Sequence, residues 1–85
     1  MFLEVITPDE KVFEGEVISA AFPGSEGRFQ ILNDHASMVS SLGNGDLHII
    51  KEVEKKKEEL HIGLLGGMVE VVNNRILVLA EGIEK

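Results

Sequence analysis

The sequence predicts an all-β fold, a sandwich or barrel of short strands. Three observations carry that expectation. Four β-branched or aromatic runs fill the first 34 residues, each stopped by a turn signal; two further runs-with-turn patterns read as hairpins; and no uninterrupted periodic window is long enough for a helical domain.

The elements follow in chain order. Phe2-Leu3-Glu4-Val5-Ile6-Thr7 is stopped by Pro8-Asp9, where Pro presets φ and Asp bonds the backbone beyond it. Lys11 to Glu14 ends at Gly15. Glu16 to Phe22 is halted by Pro23-Gly24, and Arg28 to Leu32 by Asn33-Asp34.

In the middle, Leu47 to Val53 and Glu58 to Leu64 flank Glu54-Lys55-Lys56-Lys57, which suits a four-residue hairpin loop. That loop pairs Val53 with Glu58, Ile49 with Ile62 and Leu47 with Leu64, and so gathers the apolar partners on one face. It also sets Glu52 against Glu59, a like-charge pair that lysines or solvent must relieve. The rival for residues 51–60 is a helix with spaced Lys–Glu pairs, but a mostly charged segment of about ten residues is marginal as a helix.

Met68 to Val72 and Arg75 to Ala80 are separated by Asn73-Asn74, whose tolerance of left-handed φ predicts a tight two-residue turn. Ile76 to Leu79 is apolar on both faces, which predicts a central strand covered by the opposite sheet on one side and by a partner on the other. Gly66-Gly67 marks a place where the chain bends or passes close to another backbone.

Composition narrows the function. With 15 acidic residues against 8 basic ones, the formal charge of −7 repels phosphate backbones and anionic lipid surfaces, so no nucleic acid and no direct membrane insertion are expected. No run approaches the roughly 20 apolar residues of a membrane helix, and Met1-Phe2-Leu3-Glu4 lacks a signal-peptide pattern, so a soluble, intracellular protein is expected. The absence of cysteine removes disulfides and thiolate metal sites. A chain this short buries only about 60–65% of its unfolded surface, and 85 residues are read as a single domain spanning 1–85.

Candidates for chemistry are few. Gly24-Ser25-Glu26-Gly27 has a Gly-x-x-Gly shape, but Glu26 repels phosphate, and a tight turn is the reading. In the register above His48 and His61 lie diagonal on one face; solvated polar-face residues are the reading, and no metal and no cofactor are assigned. Glu26, Asp34 and His35 lack a nucleophile and oxyanion donors around them, so no catalytic residue is assigned. A small acidic all-β domain with lysines at a hairpin tip also looks like a lipoyl or biotinyl carrier. No Met-Lys-Met or Asp-Lys-Ala surrounds Lys55, Lys56 or Lys57, and the carrier stays as the alternative.

The stretch PGSEGRFQILNDHA at 23–36, followed by LGNGDLHI, GGMVEV and ILVLA, resembles the β-sandwich domain of the epsilon subunit of F-type ATP synthases. The likeness runs from LEVITPDEKVFEGEV at the start through Ala80, in the family order. It implies a two-layer β-sandwich of about ten short strands in a non-catalytic rotor-stalk subunit, peripheral at the cytoplasmic face of the cell membrane. The implied role is to link the gamma subunit to the c-ring and to couple ion translocation to ATP synthesis. By the same resemblance Glu26, Gly27 and Arg28 face the c-ring loops, and His35, Ala36, Ser37 and Met38 lie near gamma.

Two departures stand out. Where the family usually places Pro-Gly before His-Ala and Pro after it, this sequence has Asn33-Asp34 and Ser37. The family also usually continues into two α-helices that restrain ATP hydrolysis and in some members bind ATP. This sequence stops at Lys85, so the expectation is no C-terminal helical domain and a subunit without that brake.

Overall fold

A computed structural model describes residues 1–84, and every regular element among them is a strand; the expected domain range also takes in Lys85, outside the described residues. The strands are β1 (Phe2–Ile6), β2 (Lys11–Glu16), β3 (Ser19–Gly24), β4 (Gly27–Leu32), β5 (Met38–Val53), β6 (Lys56–Val72), β7 (Arg75–Ala80) and β8 (Ile83–Glu84). They form one hydrogen-bonded path, β2-β1-β7-β6-β5-β3-β4, with β8 on β6.

Two of these strands are far longer than the rest, 16 residues in β5 and 17 in β6, and each serves both layers. Their first-layer arms pair Met38 through Leu42 with Gly67 through Val71, and β7, β1 and β2 continue that layer. Their second-layer arms pair Asp46 through Val53 with Lys56 through Gly63; β3 and β4 flank one side and β8 the other. Counting the arms separately gives five strand segments in each layer, hence the ten of the expected sandwich.

The bend is visible in the burial pattern. In the second-layer arm of β6 the inward residues are even-numbered, Leu60, Ile62 and Leu64, whereas in the first-layer arm they are odd-numbered, Val69 and Val71. A strand of period two cannot change parity without an irregularity. Gly66 and Gly67 supply it, with φ of 72° and 132°, and a Cβ on Gly67 would lie 2.2 Å from the Leu79 carbonyl oxygen. β5 switches likewise, from Leu42 inward to Leu47 and Ile49 inward. The two glycines thus lie inside one strand, at the fold of the sheet; both take positive φ, and at Gly67 the close backbone approach leaves no room for a side chain.

The β5–β6 hairpin differs from the expected one. Its loop is two residues, Glu54-Lys55, with φ of 52° and 67°, and Val53 pairs with Lys56, Ile49 with Leu60 and Leu47 with Ile62. The shift is two residues, so every side chain keeps its face. Electrostatics decides between the two registers: Glu52 now faces Lys57 and Lys51 faces Glu58, where the four-residue loop would have set Glu52 against Glu59. Opposite-charge cross-strand pairs contribute about 0.2–1 kcal/mol each, which compensates part of the cost of two non-glycine residues in left-handed φ; the shorter loop also brings Lys56 and Lys57 into the ladder, opposite Val53 and Glu52, and this adds to that.

Four boundaries also shift. β2 runs through Gly15 to Glu16, β3 begins only at Ser19 and continues through Pro23 to Gly24, and β4 starts at Gly27. Pro23 is tolerated because the β3–β5 ladder is interrupted between Ala21 and Gly24, so no partner there needs its missing N–H. The Asn73-Asn74 turn forms as expected, with φ of 50° and 61°. β7 is central, between β1 and β6, and its pairing with β1 is parallel.

The core is one cluster drawn from both layers. Leu3, Val5, Val69, Val71, Ile76 and Val78 from the first pack with Phe22, Ile31, Leu47, Ile49 and Leu64 from the second, all essentially without solvent contact. Phe22 stacks on Phe29 at 5.5 Å between centroids.

Candidate functional site

With the inner faces consumed by the core, function falls to the two outer faces and the ends. The outer face of the first layer carries an apolar strip around one carboxylate, Glu70, which pairs with Val39 and Leu77. Val39 on β5, Met68 on β6 and Leu79 on β7 are 60%, 49% and 47% exposed, and Val72 is exposed beside them. An open hollow lined by Val39, Met68, Glu70, Leu77 and Leu79 lies among them, and two further hollows border the same face at Phe2, Arg75 and Leu77 and at Ile6, Pro8 and Leu79. The parity switch places these residues: without it Met68 and Val72 would point the same way as Leu64, into the core.

Charge borders this face. Glu4 and Glu14 sit directly opposite each other on β1 and β2, and Lys11 lies between them, bonded to Glu14 and 3.2 Å from Glu4. The bonds to Glu14 and then Glu4 raise the Lys11 ammonium above its ordinary 10.5. The Arg75 guanidinium covers the Phe2 ring at 4.9 Å, a cation–π contact.

The outer face of the second layer is polar over the β5–β6 hairpin, where its side chains pair among themselves; Leu32 on β4 is its exposed apolar residue. His48 and His61 are directly opposite, not diagonal as expected, because the two-residue loop moves the register. Their rings stack at 4.4 Å with 3° between planes. His48 Nε2 lies 2.7 Å from Glu59 Oε1, and His61 Nδ1 lies 2.8 Å from Asp46 Oδ2.

The residues singled out in the sequence occupy the two ends of the first-layer arm of β5. Ser25 and Glu26 form the β3–β4 turn, and Gly27, with φ of 128°, re-enters β4. Glu26 is exposed; Arg28 folds back over its own sheet and donates through Nη1 to the Asp46 carbonyl at 2.7 Å and through Nη2 to that of Ala21 at 3.4 Å. This bend is tied to the corner of β5, where the Ser25 N–H donates to the Ser41 carbonyl at 3.2 Å.

His35, Ala36 and Ser37 form the exposed connection into β5, and Met38 begins the strand. That connection is anchored at the other end, where Asn74 accepts from the Asp34 N–H at 2.8 Å and donates to Asn33 Oδ1 at 2.8 Å. Asp34 takes φ of 62°, so an acidic residue supplies the left-handed turn that Pro-Gly would otherwise make. The structure does not bring Glu26 together with Asp34 and His35; roughly 10 Å of strand, Met38 to Ser41, separates the two segments. At the hairpin tip Lys55 lies in the turn and Lys56 and Lys57 enter β6.

The apolar outer face was legible only in part. Ile76 to Leu79 announced an uncovered side, but Val39 and Met68 join it only through the bend in β5 and β6, which a strand-by-strand reading does not contain.

These features define a class: a two-layer all-β domain with a side-chain-paired hairpin on one outer face and an exposed apolar strip on the other. The family described as ATP synthase, Delta/Epsilon chain, beta-sandwich domain matches residues 1–85, and the chain belongs to it. Relatives include the ATP synthase epsilon chains of Maridesulfovibrio salexigens, 41% identical over 86 residues, and Salinibacter ruber, 33% identical over 87. These alignments take in 100% and 96% of this chain but 57% and 58% of the relatives, so the chain spans a little over half their length. Among solved structures, one from the cryo-EM structure of the Euglena gracilis mitochondrial ATP synthase, OSCP/F1/c-ring, superposes with a TM-score of 0.80 at 21% identity, over 96% of this chain and 51% of that one. At that identity the likeness speaks for the fold.

Proposed function

We propose that this chain is the β-sandwich part of a non-catalytic central-stalk subunit of an F-type ATP synthase, placed at the cytoplasmic face of the membrane. Its work is to link the gamma subunit to the c-ring and so to couple ion translocation to ATP synthesis. The observation that carries the reading, within the family, is the apolar outer face of the first layer. Side chains that leave such a face exposed in isolation are those that a stable partner covers.

His35 to Met38 run directly into Val39, so the segment assigned to gamma is continuous with the apolar face. Glu26, Gly27 and Arg28 sit at the corner end and are assigned to the polar loops of the c-ring. Mixed charges at such a rim set register more than affinity.

Copurification of the chain with separately expressed gamma and c-ring tests this. Gamma binding is expected with the native chain and lost with Met68→Glu combined with Leu79→Glu; Arg28→Glu is expected to weaken only the c-ring step. Unchanged capture of gamma by the double variant sinks the assignment.

A further inference from the structure

We propose that the outer face of the second layer carries a two-imidazole site for a borderline divalent transition-metal ion, formed by His48 and His61. The inference stands on the observed register and is independent of the docking role. In the diagonal arrangement the two rings would be separate surface groups; directly opposed, they stack at 4.4 Å with 3° between planes.

The carboxylates decide which nitrogens are free. An ionised carboxylate only accepts, so the Glu59 contact at 2.7 Å puts the His48 proton on Nε2, and the Asp46 contact at 2.8 Å puts the His61 proton on Nδ1. His48 Nδ1 and His61 Nε2 are left with in-plane lone pairs and no hydrogen-bond partner among the described residues. A histidine whose second nitrogen donates to a carboxylate is the arrangement that orients an imidazole for a metal and raises its basicity. Here it occurs twice, on facing rings, with two carboxylate charges beside them to attract a cation.

The donor set selects the ion. Imidazole suits zinc, nickel and copper, whereas magnesium and calcium prefer oxygen. Among the described residues no group of three or more histidine, aspartate or glutamate side chains converges as a metal cluster, so water completes the coordination. The exposures of His48 and His61, 28% and 60%, leave room for it. In the stack the two free lone pairs lie in parallel ring planes and do not converge, so binding turns both rings toward a shared ion, about 3 Å between nitrogens at ordinary bond lengths, with the exposed Glu59 and Asp46 side chains following to keep their bonds. The bound ion would tie β5 to β6 across the hairpin.

The test is titration of the 85-residue chain with zinc chloride at neutral pH, following the ring carbon-bound proton resonances of all three histidines. His48 and His61 are expected to shift together and saturate at one ion per chain. His35, in the exposed connection before β5 and outside the hairpin, serves as the control and stays still, and magnesium chloride moves none of them. His48→Ala and His61→Ala should each lower the affinity at least tenfold, and Asp46→Asn or Glu59→Gln about tenfold. No shift at His48 and His61 up to about 1 mM zinc, or equal shifts at His35, overturns the site. So does an affinity untouched by both alanine variants; should a variant fail to fold, the native chain's ring shifts decide alone.

Discussion

The two outer faces of this sandwich are built from the same two long strands and have opposite characters. On the second layer β5 and β6 show Asp46, His48, Glu59 and His61, paired among themselves. On the first layer the same strands show Val39, Met68 and Val72 beside Leu79, all exposed, with Glu70 among them. The inner faces of both layers are equally buried, so the difference is not one of folding. It teaches that inward residues stabilise the sandwich while outward residues decide what it touches, and that the hinge at Gly66-Gly67 assigns residues to each role.

The largest expected effect breaks the comparison at that hinge. In Gly67→Ala a methyl must occupy space 2.2 Å from the Leu79 carbonyl oxygen at a φ of 132°. Strain of this kind with a backbone clash is expected to cost about 3 kcal/mol or more, enough to unfold a thin domain or lower its midpoint steeply in thermal denaturation. A fully folded Gly67→Ala chain would mean the bend is not glycine-dependent.

Next come the exposed apolar residues. Met68→Glu with Leu79→Glu should leave stability within about 1 kcal/mol, since both side chains are already half exposed, while lowering gamma binding by a factor of ten or more. Loss of folding in place of binding would move these residues from docking to core. For Arg28→Glu the expected stability loss is about 0.5–1.5 kcal/mol, from its two carbonyl bonds, with a weaker c-ring contact beside it. Chemical denaturation and pull-down separate the two effects.

On the polar face His48→Ala should change stability by less than about 1 kcal/mol and leave gamma capture unaltered, because an exposed pair contributes little. The smallest effect concerns Lys11. Its folded pKa is raised, so its contribution is complete below the ordinary 10.5 and is lost as pH rises through the folded value. Lys11→Gln should therefore differ slightly from the native chain in thermal midpoint at neutral pH and converge with it in strong alkali; a difference that persists there would point to packing of the lysine stem.

Much of this molecule is written locally. Alternation of Val, Ile and Leu with polar residues specifies strands because a pleat exposes and buries in turn, and Asn73-Asn74 specifies its own turn because asparagine tolerates left-handed φ. The Pro23–Ala36 stretch and its companions carried the family. The Glu54-Lys55 turn was hidden because neither residue favours that conformation. The two-residue loop sets Glu52 against Lys57 and Lys51 against Glu58, and the same register puts His48 opposite His61.

What the sequence determined by itself is the all-β class, most strand positions and the faces of the middle hairpin, since these depend on period-two patterning and on near neighbours along the chain. Only the tertiary structure decided that β1 pairs in parallel with β7 at the far end of the chain, that β5 and β6 each serve two layers, and that Val39 and Met68 meet Leu79 outside. Those outcomes depend on which distant backbones can close hydrogen bonds and bury both inner faces at once, and no single segment carries that information.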